Sequence, residues 1–97
     1  MKIITITKEF TRKAKDLSPA ALVLALQLAN YIGDIGLLID SNGKPLIIRD
    51  IQKLSGYSVR TTKRSMAELA KQKIYNRTRY GKTNVYSVNP MYIGGAK

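Results

Sequence analysis

The 97-residue chain contains no cysteine and no histidine. Without cysteine it can form neither disulfides nor thiolate metal sites. Without histidine it lacks the side chain that most often acts as a general base or metal ligand. The absence of cysteine also fits a cytoplasmic location.

Acidic residues are scarce as well, and they are scattered along the chain. There are six, with no pair at the spacing of metal ligands: Glu9, Asp16, Asp34, Asp40, Asp50 and Glu68. Metal-dependent nucleases need clustered carboxylates. Tyr57 or Tyr80 could serve as a nicking nucleophile, but no histidine cluster accompanies either of them. We therefore expect no enzymatic activity, no metal, no cofactor and no small-molecule substrate.

No segment has the features of a membrane span or a secretory signal. The longest apolar stretch, 17–39, is interrupted by Gln27, Asn30 and Asp34, whereas a span needs about 20 mostly apolar residues. The apolar run in Met1–Thr7 is too short for a secretory signal. A buried helix explains the long stretch better than a membrane span does.

Positive charge is abundant and unevenly distributed. The chain has 17 Lys and Arg against six Asp and Glu, a net charge of +11. Residues 1–40 contain five basic and four acidic residues, and residues 41–97 contain twelve and two, so the second segment carries +10 of the total. A basic half beside a nearly neutral half predicts one surface that binds polyanions.

The first half of the chain predicts a strand followed by two helices. Lys2–Thr7 is typical of a short strand or an arm, and residues 8–16 could form a short helix anchored by Phe10. Ser18-Pro19 is a favourable helix start, and the helix should run to about Ile32. Its apolar residues cover most of its circumference, so both the core and a partner subunit are expected to cover it. This pattern predicts a homodimer.

A hairpin-like excursion should follow. Asn42-Gly43 lies between two apolar runs, which is a strong turn signal. Pro45 restricts the second run to an edge position. We expect Leu46–Ile48 to provide the first small strand of the sheet.

The next segment has the pattern of a helix-turn-helix. A short helix at Asp50–Leu54 should bury Ile51 and Leu54, and the chain should turn at Gly56, where a positive φ is expected. Ser58 should cap a second helix, Val59–Lys71.

The second helix is expected to have one buried and one exposed face. Val59, Thr62, Met66 and Leu69 recur at helical spacing and predict the buried stripe. The opposite face should carry Arg60, Thr61, Arg64 and Glu68, with Lys63 and Ser65 at its flanks. Arg60 and Arg64 would reach base edges, because the start of a recognition helix enters the major groove.

A basic hairpin completes the motif and is predicted to be a wing. Its strands should be Ile74–Arg79 and Asn84–Val88, joined by residues 80–83, with the cations contacting phosphate or the minor groove. Tyr75 and Tyr86 are expected to be half-buried sheet residues. The predicted DNA contacts are Tyr57, Ser58, Arg60, Thr61, Lys63, Arg64, Arg77, Arg79, Tyr80 and Lys82.

Simpler interpretations exist for each part. Basic residues on a small helix often form only a solvated face, and a charged hairpin resists edge-to-edge aggregation. The short hydroxyl residues among the arginines are poor helix formers, and they suit phosphate and base contacts better. The combined pattern predicts an α+β fold: one winged helix-turn-helix domain over 1–97 with three or more helices, a small antiparallel sheet and a C-terminal wing, the helix-turn-helix at about 49–72 and the wing at about 74–89.

The segment from Leu46 resembles the winged-helix domain of RepL-type plasmid replication initiators of Gram-positive bacteria. The matching residues are Ile51, the turn Ser55-Gly56-Tyr57-Ser58, Thr61-Thr62, Met66, Leu69 and the tail Val88-Asn89-Pro90. Two features depart from that pattern. Lys73 stands where the family has a glycine, and no long tail follows the Asn-Pro pair.

The resemblance implies a plasmid or phage protein of a prokaryotic cytoplasm that binds double-stranded DNA. It implies action in replication initiation or transcription regulation. Plasmid partition by a centromere-binding protein is an alternative. A protein–protein adaptor that uses the fold without DNA is another, motivated by the apolar helix at 20–32.

Overall fold

The computed structural model describes residues 3–96, which form an α+β winged helix-turn-helix, as the sequence predicts. The helices in this range are α1 (Lys8–Ala14), α2 (Pro19–Leu28), α3 (Ile48–Ser55) and α4 (Val59–Lys71), with a 3-10 helix at Ala29–Tyr31. The strands are β1 (Ile3–Ile6), β2 (Tyr75–Tyr80), β3 (Thr83–Val88) and β4 (Ile93–Ala96).

Hydroxyl side chains begin three of the helices. The Oγ1 of Thr7 accepts from the N–H of Phe10 at the start of α1, and Ser18 and Ser58 cap α2 and α4 in the same way. The caps at Ser18 and Ser58 confirm the prediction, because each satisfies a donor that has no partner inside the helix. The helix that was predicted to reach about Ile32 is shorter in the structure. α2 ends at Leu28, and the chain continues as the 3-10 helix.

The turn between α3 and α4 is fixed by a left-handed glycine and two side chains. Gly56 has φ 77°, as predicted. The Oγ of Ser55 accepts from the N–H of Tyr57 at 3.1 Å, and the Nε2 of Gln52 donates to the carbonyl of Tyr57 at 2.8 Å. The first helix is longer than the predicted Asp50–Leu54, because Asp50 accepts from the N–H of Ile47 at 3.0 Å and begins α3 at Ile48.

The buried stripe of α4 differs from the predicted one at two positions. Thr62, Met66 and Leu69 are buried as predicted, but Val59 is 52% exposed and Ser65 only 2%. Ser65 lies within the stripe because 100° per residue places it beside Thr62 and Leu69. Val59 belongs to the first turn, whose neighbours Ser58 and Arg60 are exposed as well, so this end of the helix extends beyond the core.

Two tyrosines of the wing belong to the core. Tyr75 and Tyr86 are almost completely buried, although both were predicted to be half-buried. The hydroxyl of Tyr75 donates to the carbonyl of Ala25 in α2 at 2.7 Å. This bond connects the first helical layer to the sheet. Burial raises the pKa of Tyr75 well above its ordinary value.

The sheet of the wing uses a different segment from the one predicted. β2 and β3 pair antiparallel, and Leu37 forms a bridge with Ser87 on the other edge of β3. The N–H of Leu38 donates to the carbonyl of Tyr86 at 2.8 Å. The expected strand at Leu46–Ile48 is therefore wrong: its end is taken up by the start of α3, and the buried Leu38 occupies the place beside β3.

The predicted turn at Asn42-Gly43 is confirmed. Gly43 has φ 80°. The Oδ1 of Asp40 accepts from the N–H of Asn42 at 2.8 Å and from the N–H of Lys44 at 2.9 Å. Within the described range, an isolated bridge between Ile39 and Pro45 is the only β pairing between the two runs that flank this turn.

The two ends of the described chain pair with each other. β1 runs antiparallel to β4, with Ile6 opposite Ile93, and the Oγ1 of Thr7 donates to the carbonyl of Met91 at 2.7 Å. The N-terminal strand or arm predicted at Lys2–Thr7 is thus a paired strand, except that Lys2 lies outside the described residues. Its partner strand was not predicted, because the sequence of β4 contains two glycines, which are depleted in strands.

Lys73 connects α4 to the wing in a left-handed conformation. Its φ is 61°, which favours glycine over any residue with a Cβ. The Nδ2 of Asn89 donates to the carbonyl of Lys73 at 2.9 Å, and the N–H of Asn89 donates to the carbonyl of Ile74. Asn89 therefore holds the junction between α4 and β2 in place.

Replacing Lys73 with glycine should therefore stabilise the fold. We expect Lys73→Gly to raise the free energy of unfolding by about 1 kcal/mol, because it removes the left-handed strain. Urea denaturation measures the change. Lys73→Ala is the matched control, since it removes the same charge but keeps the strain. Equal stability of the two variants would contradict this account.

Removing the hydroxyl of Tyr75 should lower stability at neutral pH but less so in alkali. Tyr75→Phe loses a buried hydrogen bond worth about 1 kcal/mol. Because folding raises the pKa of Tyr75, the folded state is favoured below the unfolded pKa of about 10 and loses that advantage as the pH rises.

Denaturation curves between about pH 8 and pH 11 measure this effect. The wild-type advantage over Tyr75→Phe should stay constant below about pH 9 and shrink by about 1.4 kcal/mol per pH unit above about pH 10. A difference between the two proteins that does not change with pH would show that the hydroxyl is not protected.

Candidate nucleic-acid interface

The outer face of α4 carries a row of exposed cations. The buried stripe packs α4 against α2 and α3 and directs the opposite face to solvent. Arg60 and Arg64 are exposed one turn apart on that face, and Lys71 continues the row two turns later. Because residues i and i+4 lie one above the other on a helix, the two guanidinium groups share one direction.

Glu68 follows Arg64 by one turn of α4, on the predicted side, and its carboxylate is bound at the edge of that face. Its carboxylate accepts from the N–H of Ser18 at 2.7 Å and from the Oγ of Ser18 at 2.9 Å. These bonds direct the acid towards the start of α2. The carboxylate that follows Arg64 in the row is therefore bound to Ser18.

The polar residues at the start of α4 are partly engaged with each other. The Oγ of Ser58 accepts from the N–H of Thr61 and donates to the Oγ1 of Thr61, both at 3.1 Å. Tyr57 is half-buried, and Gln52 holds its carbonyl. The structure thus places these three predicted contacts at the first turn of α4, beside Arg60.

One face of the wing continues the core outwards as a basic surface. In the β2–β3 register, Tyr75 lies opposite Val88, Arg77 opposite Tyr86 and Arg79 opposite Asn84. Successive side chains of a strand alternate between faces, and opposed residues share one. The face that buries Tyr75, Tyr86 and Val88 therefore also carries Arg77 and Arg79.

This basic face of the wing meets the flank of α4 in a small cleft. The cleft has a volume of about 180 Å³, and its lining residues are Ile48, Lys63, Arg77, Asn84 and Tyr86. Lys63 comes from α4, Arg77 and Asn84 from the wing, and Ile48 from the first position of α3. The two halves of the predicted interface, recognition helix and wing, thus border one concave surface.

The tip of the wing is a two-residue turn with exposed side chains. Gly81 has φ 63° and precedes Lys82, which is exposed. The Nε of Arg79 donates to the carbonyl of Gly81 at 3.3 Å, so the guanidinium is held at the tip. Tyr80 is 73% exposed and, by strand alternation, points to the face opposite Arg77 and Arg79.

The structure therefore groups the ten predicted residues into three sets. The cleft brings together Lys63 and Arg77, the outer face and start of α4 carry Tyr57, Ser58, Arg60, Thr61 and Arg64, and the wing tip carries Arg79, Tyr80 and Lys82. Sequence reasoning missed Asn84 and Tyr86 as residues of the cleft. The cross-strand register would have found them, because each is opposed to one of the predicted arginines.

Both acids of the basic half are used in structural hydrogen bonds. Glu68 is bound to Ser18, and Asp50 accepts from the N–H of Ile47. Within residues 3–96, no group of three or more acidic, histidine or cysteine side chains could hold a metal ion. No helix in that range is long and apolar enough to cross a bilayer.

Comparison with known proteins supports the fold and adds a distant likeness. The structure is similar to a solved structure of the type III plasmid segregation protein TubR, with a TM-score of 0.55 and 15% sequence identity, over 90% of this chain and 78% of that one. No protein-family model and no curated protein matches the sequence. At this identity the likeness establishes a shared fold.

Proposed function

We propose that this protein binds double-stranded DNA of a plasmid or phage in a sequence-specific way. The observation that carries the proposal is the concave surface on which Lys63 of α4 and Arg77 of the wing meet. A fold of this kind with a cationic recognition helix and a cationic hairpin on one concave surface suits a duplex, since phosphate contacts supply most of the affinity.

The parts of the surface would have different tasks. Arg60 and Arg64 lie near the start of α4, the part of a recognition helix that reaches base edges in the major groove. Arginine reads guanine by two hydrogen bonds. Arg79 and Lys82 at the wing would contact phosphates, which position the protein without reading sequence.

The structural likeness favours segregation as the biological role. The solved relative is described as a plasmid segregation protein, which agrees with the partition alternative. Replication initiation or transcription regulation, implied by the RepL resemblance, is the second candidate. A footprint on the parent replicon distinguishes them: protection over an extended array of sites supports segregation, and protection of one short palindrome supports initiation or regulation.

A homodimer would bring two such surfaces to one duplex. Residues 17–33 contain no charged side chain, and Val23 and Leu26 on the outside of α2 are 43% and 44% exposed. Two copies of a chain with net charge +11 repel each other least where they meet through uncharged surfaces. The outer face of α2 is therefore the proposed dimer contact.

Substitutions in the two regions should affect DNA binding differently. Arg60→Ala and Arg64→Ala should each reduce the preference for a selected site by about 1–3 kcal/mol. Arg79→Ala should weaken selected and random duplexes equally and lower the slope of affinity against salt by about 1. Titrations of both duplexes at several salt concentrations measure these effects, with the site obtained by selection from a random pool.

The wild-type protein provides the reference for this experiment. Its affinity should fall by roughly 10³-fold or more between about 50 and 200 mM salt if about six phosphates are neutralised. Equal losses on both duplexes for all three variants would contradict the division of tasks. A wild-type protein that binds no duplex at low salt would contradict the proposed function and support the adaptor alternative.

Charging the outer face of α2 should separate the dimer. We expect Leu26→Glu to sediment as a monomer at tens of micromolar where the wild type sediments as a dimer, because an apolar contact would have to bury a charge. Ile35→Glu is the control, since Ile35 is another exposed apolar residue, at 87%. A wild-type monomer, or dissociation by Ile35→Glu alone, would contradict the proposed contact.

A further inference from the structure

The cleft between α4 and the wing is lined by a tyrosine whose hydroxyl the fold does not use. Tyr86 is 3% exposed and lines the cleft. Its hydroxyl makes no hydrogen bond to any residue of the described range. The core holds the ring of Tyr86 while its hydroxyl, which can donate and accept, is left free to bind a ligand in the cleft.

The other polar residues that line the cleft suit an anion. Lys63 and Arg77 provide two positive charges, and Asn84 provides an amide N–H₂. Ile48, the first residue of α3, provides an apolar part of the wall. Asp50 is the acidic residue nearest to Ile48 in the sequence, and its carboxylate accepts a hydrogen bond from the N–H of Ile47.

The protonation state of Tyr86 fits the same ligand. Burial raises the pKa of Tyr86, and the Arg77 charge opposes part of that rise. Arg77 lies directly opposite Tyr86 in the register of the wing, so the two side chains share one face. Since the hydroxyl keeps its proton at neutral pH, it can donate a hydrogen bond to an anion.

The size of the cleft limits the anion to a small group. Pockets for drug-sized ligands are usually about 300–1,000 Å³, whereas this cleft has about 180 Å³. A drug-sized ligand would exceed that space. One tetrahedral phosphate with its oxygens directed at Lys63, Arg77 and Tyr86 would not.

We propose that the cleft is a phosphate site that holds one backbone phosphodiester of bound DNA between Lys63, Arg77, Asn84 and the hydroxyl of Tyr86. The assignment to DNA rests on the proposed function, and the assignment to phosphate rests on the cleft alone. The site would fix the distance between the recognition helix and the wing when both engage the duplex. Inorganic phosphate shares the same chemistry, so the test separates the two sources.

The first test removes the hydroxyl while keeping the ring. Tyr86→Phe should weaken duplex binding by roughly tenfold, because a hydrogen bond to a charged group is lost. It should not lower stability, because the hydroxyl has no partner in the free protein. Lys63→Met should lower the salt slope by about 0.9, the value for one phosphate. Lys15→Met is the matched control, since Lys15 is exposed on another part of the surface.

The second test identifies the phosphate. A series of duplexes, each with one neutral methylphosphonate, should reveal a position in each half-site at which the wild type loses affinity and Tyr86→Phe and Lys63→Met lose little more. Such non-additivity shows that both residues act on that phosphate. Two results would overturn the assignment to DNA. One is an affinity and a salt slope in both variants that equal those of the wild type, and the other is full additivity of the substitution and the methylphosphonate at every position.

The third test does not depend on DNA. Inorganic phosphate should shift the amide NMR signals of Ile48 and Asn84 in the wild type, and less in Tyr86→Phe. If the wild type binds no duplex, these shifts alone uphold the phosphate site, and their absence ends it. Shifts together with unchanged duplex binding by Tyr86→Phe would assign the cleft to a free anion and overturn the role in DNA binding.

Discussion

The whole basic surface depends on how α4 is rotated about its own axis. The buried stripe Thr62, Ser65, Met66 and Leu69 packs against the layer of α2 and leaves a single orientation for the opposite face. A rotation of 100°, one residue, would bury Lys63 or expose Met66. Burying an unpaired ammonium group is strongly unfavourable, so the energetics of the core and the direction of the cations are set by the same constraint.

The two acidic residues of the basic half, Glu68 and Asp50, make their hydrogen bonds at the starts of helices. Glu68 binds the start of α2, and Asp50 binds the start of α3. At a helix start, a carboxylate also interacts favourably with the helix dipole. Each therefore stabilises a helix terminus and is not available to neutralise an arginine.

Local signals in the sequence predicted local structure well. Ser18, Ser58, Gly56 and the Asn42-Gly43 turn all act within a few residues, and each has the predicted role. Pairing between distant segments was less predictable, because the strand partners of β1 and β3 are chosen by the tertiary fold. The grouping of Lys63 with Arg77 needed the structure for the same reason, whereas the roles of the predicted DNA contacts remain predictions.

The register of the wing connects the core to the proposed binding surface. Arg77 lines the cleft and Arg79 lies on the same face at the wing tip, because they are two and four residues beyond the buried Tyr75 on the same strand. A slip of one residue would turn both arginines, and Tyr75 with them, to the other face. Asn89 opposes such a slip, since it binds both Lys73 and Ile74 at the point where β2 begins. The same hydrogen bonds that hold the last helix to the sheet thus also determine which side chains line the cleft.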